Sequence, residues 1–153
     1  MIRLELKIPP ALVFLFFAGA MYLLARFLPA GRFDFFGRMQ LAWFLGGLAV
    51  AVGSWAVLLF LRHRTPADPA HPDRARKLVV GGVYNFSRNP MYLSLLLLLL
   101  AWGLYLENVF NTLLCALFVA YMNRFQILPE ERALASRFGA AFRQYCLLVR
   151  RWF

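Results

Sequence analysis

Hydrophobic residues gather in four long runs, at residues 9–28, 41–61, 91–106 and 109–128, with polar residues crowded between and after them. A helix needs about 20 apolar residues to cross a hydrocarbon core ~30 Å thick. The pattern therefore predicts four membrane-crossing helices. Pro9 and Pro10 suit the start of the first and Pro29 its end, while Arg26 stands where a long side chain reaches the headgroups. Gly46, Gly47, Ala49, Ala51, Gly53 and Ser54 in the second permit close helix contact. The third, at about 16 residues, is short for a full span. It is expected to stand with little tilt, or to begin recessed beside a polar cavity. Only Glu107 and Asn108 separate it from the fourth, which predicts a tight helical hairpin. Beyond that hairpin, Leu134, Phe138, Ala141, Phe142 and Tyr145 share one face of a helix over 130–145. That face is expected to lie against the membrane or over the bundle.

The 153 residues are 62% hydrophobic and include 16 Phe, yet the formal charge is +10. A soluble domain of this size lacks the interior to hide so much apolar residue, so lipid must solvate much of the chain. Basic residues stand between and after the apolar runs, which is how topology signals are arranged, and this reading excludes nucleic acid as the partner. Residues 62–88 carry six Lys/Arg against two Asp, and the segment from Arg124 carries six Arg against Glu130 and Glu131. The positive-inside rule then places the central loop and both termini in the cytoplasm. The first apolar run exceeds the ~7–15 residues of a signal-peptide core and no small-x-small site follows, so it is expected to be a retained helix. Cys115 lies in an apolar run and Cys146 in the basic tail, which makes them packing residues without a disulfide or metal role. Arg preferred over Lys, with much Ala and Leu, points to a bacterial gene and hence to the inner membrane.

There is no strand, Gly-rich turn and helix unit, no Walker loop and no Cys/His set at metal spacing. His63 and His71 sit in a Pro-rich loop and read as solvated side chains. What remains is a polar cluster at one membrane face. It comprises Lys77, Leu78 and Val79; the Gly81-Gly82 turn with Tyr84; Ser87, Arg88, Asn89, Pro90, Met91 and Tyr92; and Pro129, Glu130, Glu131 and Arg132. Asn89 and Pro90 suit a helix start, with Asn89 as the cap and Pro90 in the first turn. The hairpin brings the start of the third helix beside the end of the fourth, so Asn89, Tyr92 and Glu130 are expected to meet. The two glutamates also fit an acidic first turn, or ion pairs with the surrounding arginines.

The run LVVGGVYNFSRNPMY at 78–92, a hydrophobic hairpin, then PEERALASRFGAAFRQY at 129–145 and VRRW at 149–152 resemble the isoprenylcysteine carboxyl methyltransferase family, which forms a wider group with phospholipid methyltransferases. The loop residues Arg64, Thr65, Pro66 and Pro69 share the likeness, which covers about 62–153. The resemblance implies an S-adenosylmethionine pocket closed by the loop and tail, with a tunnel for a lipid substrate. Lys77, Leu78, Val79, Tyr84, Arg88, Asn89, Pro90, Met91, Tyr92 and Glu130 would contact the cofactor. Glu131 is the carboxylate left for proton removal, and Arg124 the residue left to meet the substrate. Two positions depart from the family pattern. Asn89 stands where the eukaryotic enzymes have His, and Gln126 stands where the family has a substrate-side arginine. Asn is no general base near neutral pH. Both departures count against a prenylcysteine carboxylate as substrate.

The expected architecture is thus a single all-α membrane domain over 1–153. Two N-terminal helices (1–61) precede a methyltransferase-like core (62–153), whose cytoplasmic loop and C-terminal helix close a cofactor pocket. The expected activity is methyl transfer from S-adenosylmethionine to a membrane-embedded lipid or lipidated acceptor, a carboxylate or an amine, without a metal. A non-catalytic lipid-binding or assembly protein keeping the fold is the alternative. A transporter is disfavoured, because the spans lack ionisable residues near their middles.

Overall fold

A computed structural model describes residues 5–63 and 78–153. Among the described residues five α-helices follow one another: α1 (Pro10–Phe27), α2 (Arg38–Arg62), α3 (Pro90–Tyr105), α4 (Asn111–Met122) and α5 (Leu128–Leu148). Among the described residues there is no strand beyond a single bridge between Arg32 and Asn108. Among the described residues three helices are long and apolar enough to cross a membrane: α1, α2 and the continuous helix Asn111–Leu148, whose apolar run ends at Leu128 before Pro129, Glu130 and Glu131. The chain is an all-α membrane protein.

Helix α3 is shorter than these three and is also enclosed, with no exposed residue from Pro90 to Leu104. Its 16 residues span about 24 Å at 1.5 Å per residue. That is less than a bilayer core, but its neighbours surround it. Helix α1 turns Val13, Phe17 and Met21 inward, at spacings of four. Helix α4 turns Asn111, Cys115, Phe118 and Met122 inward, and the Phe17 and Phe118 rings meet edge to face at 5.6 Å. Leu12, Leu15, Phe16 and Leu23 on α1 face outward. Their exposure is expected where lipid tails are as apolar as the core.

Helix α2 lies against α3 through small residues, burying Ala42, Ala49 and Ala56. A Cβ added at Gly53 would stand 2.9 Å from Ser94 Oγ and 3.2 Å from Ser94 Cβ, so the α2 backbone rests on the Ser94 side chain there. Gly46 and Gly47 face open space, which separates them from the packing role expected of the whole glycine-rich stretch.

The hairpin turn is longer than two residues and α4 starts at Asn111. Asn108 is the reason. Its buried side chain donates from Nδ2 to the Leu28 carbonyl at 2.8 Å and accepts from the Phe110 amide at 3.0 Å. Gly31 faces the same turn, and a Cβ on it would lie 2.5 Å from Phe110 Cδ2. Arg38 fastens the turn from α2, donating to the Leu104 carbonyl and pairing with Glu107 and Asp34. A cation there complements the carbonyl end of α3.

The fourth span and the tail helix were expected as separate elements and form one. A π-helical turn, Asn123–Ile127, joins α4 to α5. Pro129 explains it: proline has no amide to offer the carbonyl four residues back, and its ring crowds that carbonyl. The Phe125 carbonyl is instead satisfied by the Leu6 amide at 3.0 Å. Leu6 holds a left-handed φ of 58° to do so. Gly139, at φ 50° and ψ −118°, breaks α5 midway, and past this kink Phe142 is buried. Of the stripe expected on this helix, Leu134, Phe138 and Tyr145 are partly buried and Ala141 is exposed.

Candidate active site at one end of the bundle

The end of α2, the start of α3 and the junction of α4 with α5 meet at one face. Gly81 and Gly82 carry consecutive positive φ values of 99° and 56°, which only glycine adopts freely. At Gly82 a Cβ would lie 3.0 Å from Leu59 Cδ1, so the turn rests directly on α2. Val79, Val83 and Tyr84 are buried with Ala56, and the Tyr84 ring packs on Phe60 at 5.7 Å. Burial pushes the Tyr84 phenol far up, and the charge of Glu130 adds to the effect.

Pro90 opens α3 as its sequence position requires, but Asn89 makes no side-chain cap. Its Nδ2 donates to the Arg151 carbonyl at 3.0 Å instead, and its amide donates to Ser87 Oγ at 3.1 Å. The next turn of α3 presents Tyr92, whose hydroxyl donates to Glu130 Oε1. Residues 38 positions apart are thus joined, as the hairpin geometry demands. Glu130 lies just beyond the last apolar residue of its span. Burial pushes its carboxyl up to about 8, although the Tyr92 hydrogen bond acts the other way.

Glu131 turns away from Tyr92 toward two arginines. Arg151 grips it with Nε at 2.9 Å and Nη2 at 2.7 Å, while Arg88 Nη2 stands 3.3 Å from Oε1. The hydrogen bonds to Glu131 hold the Arg151 guanidinium above its ordinary range. Arg88 keeps its Nε buried with no partner among the described residues. Arg124 stands apart on the outer surface, paired with Glu5 at 2.9 Å and lying over the Phe125 ring. Gln126 is buried, donating from Nε2 to the Ile8 carbonyl at 2.6 Å. Leu78 and Met91 are partly buried beside the same loop, whereas Lys77 and His71 lie outside the described residues.

Several contacts of this face were not expected from the sequence. Ser87 Oγ donates to the Arg151 carbonyl at 3.0 Å, and the Arg88 amide donates to the Arg150 carbonyl at 2.9 Å. Trp152 Nε1 donates to Asn123 Oδ1 at 3.0 Å, and the Tyr145 hydroxyl donates to the Tyr84 carbonyl at 2.7 Å. The C-terminal residues therefore form a strap across the start of α3. The only trace of this in the sequence is the VRRW string, which says nothing of its partners.

A helical membrane bundle with a polar, partly enclosed site at one end defines the class of protein. Comparison with known proteins gives the family. The model of the phospholipid methyltransferase family matches residues 41–141, more than half of the chain, and the chain belongs to that family. The match takes in most of α2, the Gly-Gly turn, the hairpin and Glu130. An uncharacterized protein of Haemophilus influenzae is 52% identical over 62 residues, which is 40% of this chain and 98% of that relative. No solved structure matches.

Proposed function

We propose that this methyltransferase uses S-adenosylmethionine and acts on a membrane-embedded lipid or lipidated acceptor, a carboxylate or an amine, at the cytoplasmic face of a bacterial inner membrane. The observation that carries the reading is the charge pattern of the site. Arg88 has a buried Nε with no partner among the described residues, and Glu130 is a partly buried carboxylate held by Tyr92. The cofactor has matching ends: a carboxylate for Arg88, and a cationic sulfonium and ammonium for Glu130. Tyr84 and Tyr92 add aromatic faces that attract a cation. Backbone groups of Lys77, Leu78 and Val79 are the candidates for the adenine edge, with Asn89, Pro90 and Met91 completing the wall.

S-adenosylmethionine supplies an electrophilic methyl carbon when bound. The protein's task is then to align the acceptor behind that carbon and to exclude water. A carboxylate acceptor is already ionised at neutral pH, whereas an amine must first lose a proton. Glu131, paired with Arg151 and in reach of Arg88, is engaged by cations and so suits an ion-pair role better than proton removal. Arg124 suits the fastening of the N-terminal segment through Glu5.

The test is binding of S-adenosylhomocysteine to the purified protein in detergent, followed by transfer of labelled methyl into a membrane lipid extract. Saturable binding and labelled lipid are expected. A folded protein that binds nothing would leave the non-catalytic alternative standing.

The Glu130 carboxyl lies near 8 in the folded protein against an ordinary 4.5. The folded state therefore holds more protons, and unfolding free energy falls as pH rises between about 4.5 and 8. A bound cation favours the ionised carboxylate. Binding of S-adenosylmethionine near pH 7 is expected to release close to one proton and to strengthen as pH rises toward 8. Calorimetry in two buffers of different ionisation enthalpy reads this directly; equal heats in both would refute it.

A further inference from the structure

We propose that Arg151 is a positioning residue for the cofactor, because its grip on Glu131 leaves Arg88 available to the cofactor carboxylate. The inference rests on the S-adenosylmethionine reading above. Glu131 has two cationic neighbours, and they are not equivalent. Arg151 makes the paired contact, Nε to Oε1 at 2.9 Å and Nη2 to Oε2 at 2.7 Å. Arg88 makes a single, longer contact of 3.3 Å and keeps a buried Nε without a partner among the described residues. Two parallel hydrogen bonds from one guanidinium satisfy both carboxylate oxygens in the favoured fork geometry. Arg88 is therefore held near Glu131 without being consumed by it.

Burial sharpens the argument. The side chains of Arg88 and Glu131 are 14% and 18% exposed, whereas that of Arg151 is 38% exposed. Without Arg151, Glu131 would be a partly buried carboxylate with one cation in reach, and Arg88 would turn fully to it. The strap that carries Arg151 is fixed by other bonds. The Arg150 carbonyl accepts from the Arg88 amide, the Arg151 carbonyl accepts from Ser87 and Asn89, and Trp152 donates to Asn123. None of these uses the Arg151 side chain, so a substitution there leaves the strap seated.

The test measures dissociation constants for S-adenosylhomocysteine and for its decarboxylated analogue, which keeps the amine and lacks only the carboxylate. Four proteins are compared: wild type, Arg151→Gln, Glu131→Gln and the double variant. Arg151→Gln is expected to weaken S-adenosylhomocysteine about tenfold, the worth of one charge-assisted hydrogen bond. It should leave the decarboxylated analogue within about twofold, a change too small to count as a lost hydrogen bond. Adding Glu131→Gln removes the competitor for Arg88 and should restore S-adenosylhomocysteine binding. Equal weakening of both ligands by Arg151→Gln, or no rescue in the double variant, overturns the proposal while the methyltransferase reading stands. Wild type that binds neither ligand overturns both.

Discussion

Glu130→Gln is expected to weaken S-adenosylmethionine binding by about ten- to a hundredfold while leaving the fold intact, since a hydrogen bond to a charged group is worth about 1.5–3 kcal/mol. Glutamine matches the shape of the protonated carboxyl, and its oxygen still accepts from the Tyr92 hydroxyl that now bonds Glu130. Burial already disfavours the charged form of this group. Stability at neutral pH should therefore hold or rise in the variant. What glutamine cannot do is become an anion opposite a sulfonium. The proton released on binding should vanish along with the affinity. Calorimetry on the variant and a melting curve on the same sample read both. Undiminished affinity would remove Glu130 from the site.

Gly53→Leu is expected to destabilise the bundle by about 1–3 kcal/mol, the usual cost of forcing side chain into a packed contact. A Cβ alone would meet Ser94 at 2.9 Å and 3.2 Å. Rotating the Ser94 hydroxyl away would forfeit its bond to the Met91 carbonyl at 2.7 Å and would not move its Cβ. Pushing α2 from α3 also disturbs the platform under Gly82, so ligand binding should weaken with stability. Gly47→Leu is the control. It lies on the same helix with nothing within 4 Å, and a better helix former at an open position costs nothing or gains a few tenths of a kcal/mol. Thermal unfolding of the two variants in one detergent should separate them clearly. Similar melting temperatures would mean that α2 and α3 do not meet at Gly53.

The contrast between these two glycines shows what the sequence could and could not convey. Length and composition were enough for the apolar runs, because a bilayer sets both. They could not choose the face on which α2 meets α3. Both the lipid side and the protein side of such a helix are apolar, so the helical period fades where lipid replaces water. Ala49, Gly53 and Ala56 therefore look no different in sequence from Gly46 and Gly47. The meeting of Tyr92 with Glu130 was legible, since a hairpin fixes which ends lie together. The partners of Glu131 were not. Arg88, Arg132, Arg137, Arg143, Arg150 and Arg151 are all near enough in sequence or topology, and only the path of the strap selects Arg88 and Arg151. Asn89 carried a false signal for the same reason: a residue suited to capping was claimed by the Arg151 carbonyl.

Pro129 has a consequence for how variation in this chain should be read. The helix bearing Glu130 lacks one rung of its own ladder, and the amide of Leu6 supplies it from the other end of the chain. Positions 6 and 129 are in that respect a single trait. Any residue other than proline at 129 would bring its own amide and make the distant one redundant. The backbone strain at Leu6 would then have nothing to offset it. Substitutions at 6 that alter the backbone, proline by removing the amide or glycine by relieving the positive φ, are therefore coupled to what stands at 129, whereas other side chains at 6 leave the amide in place.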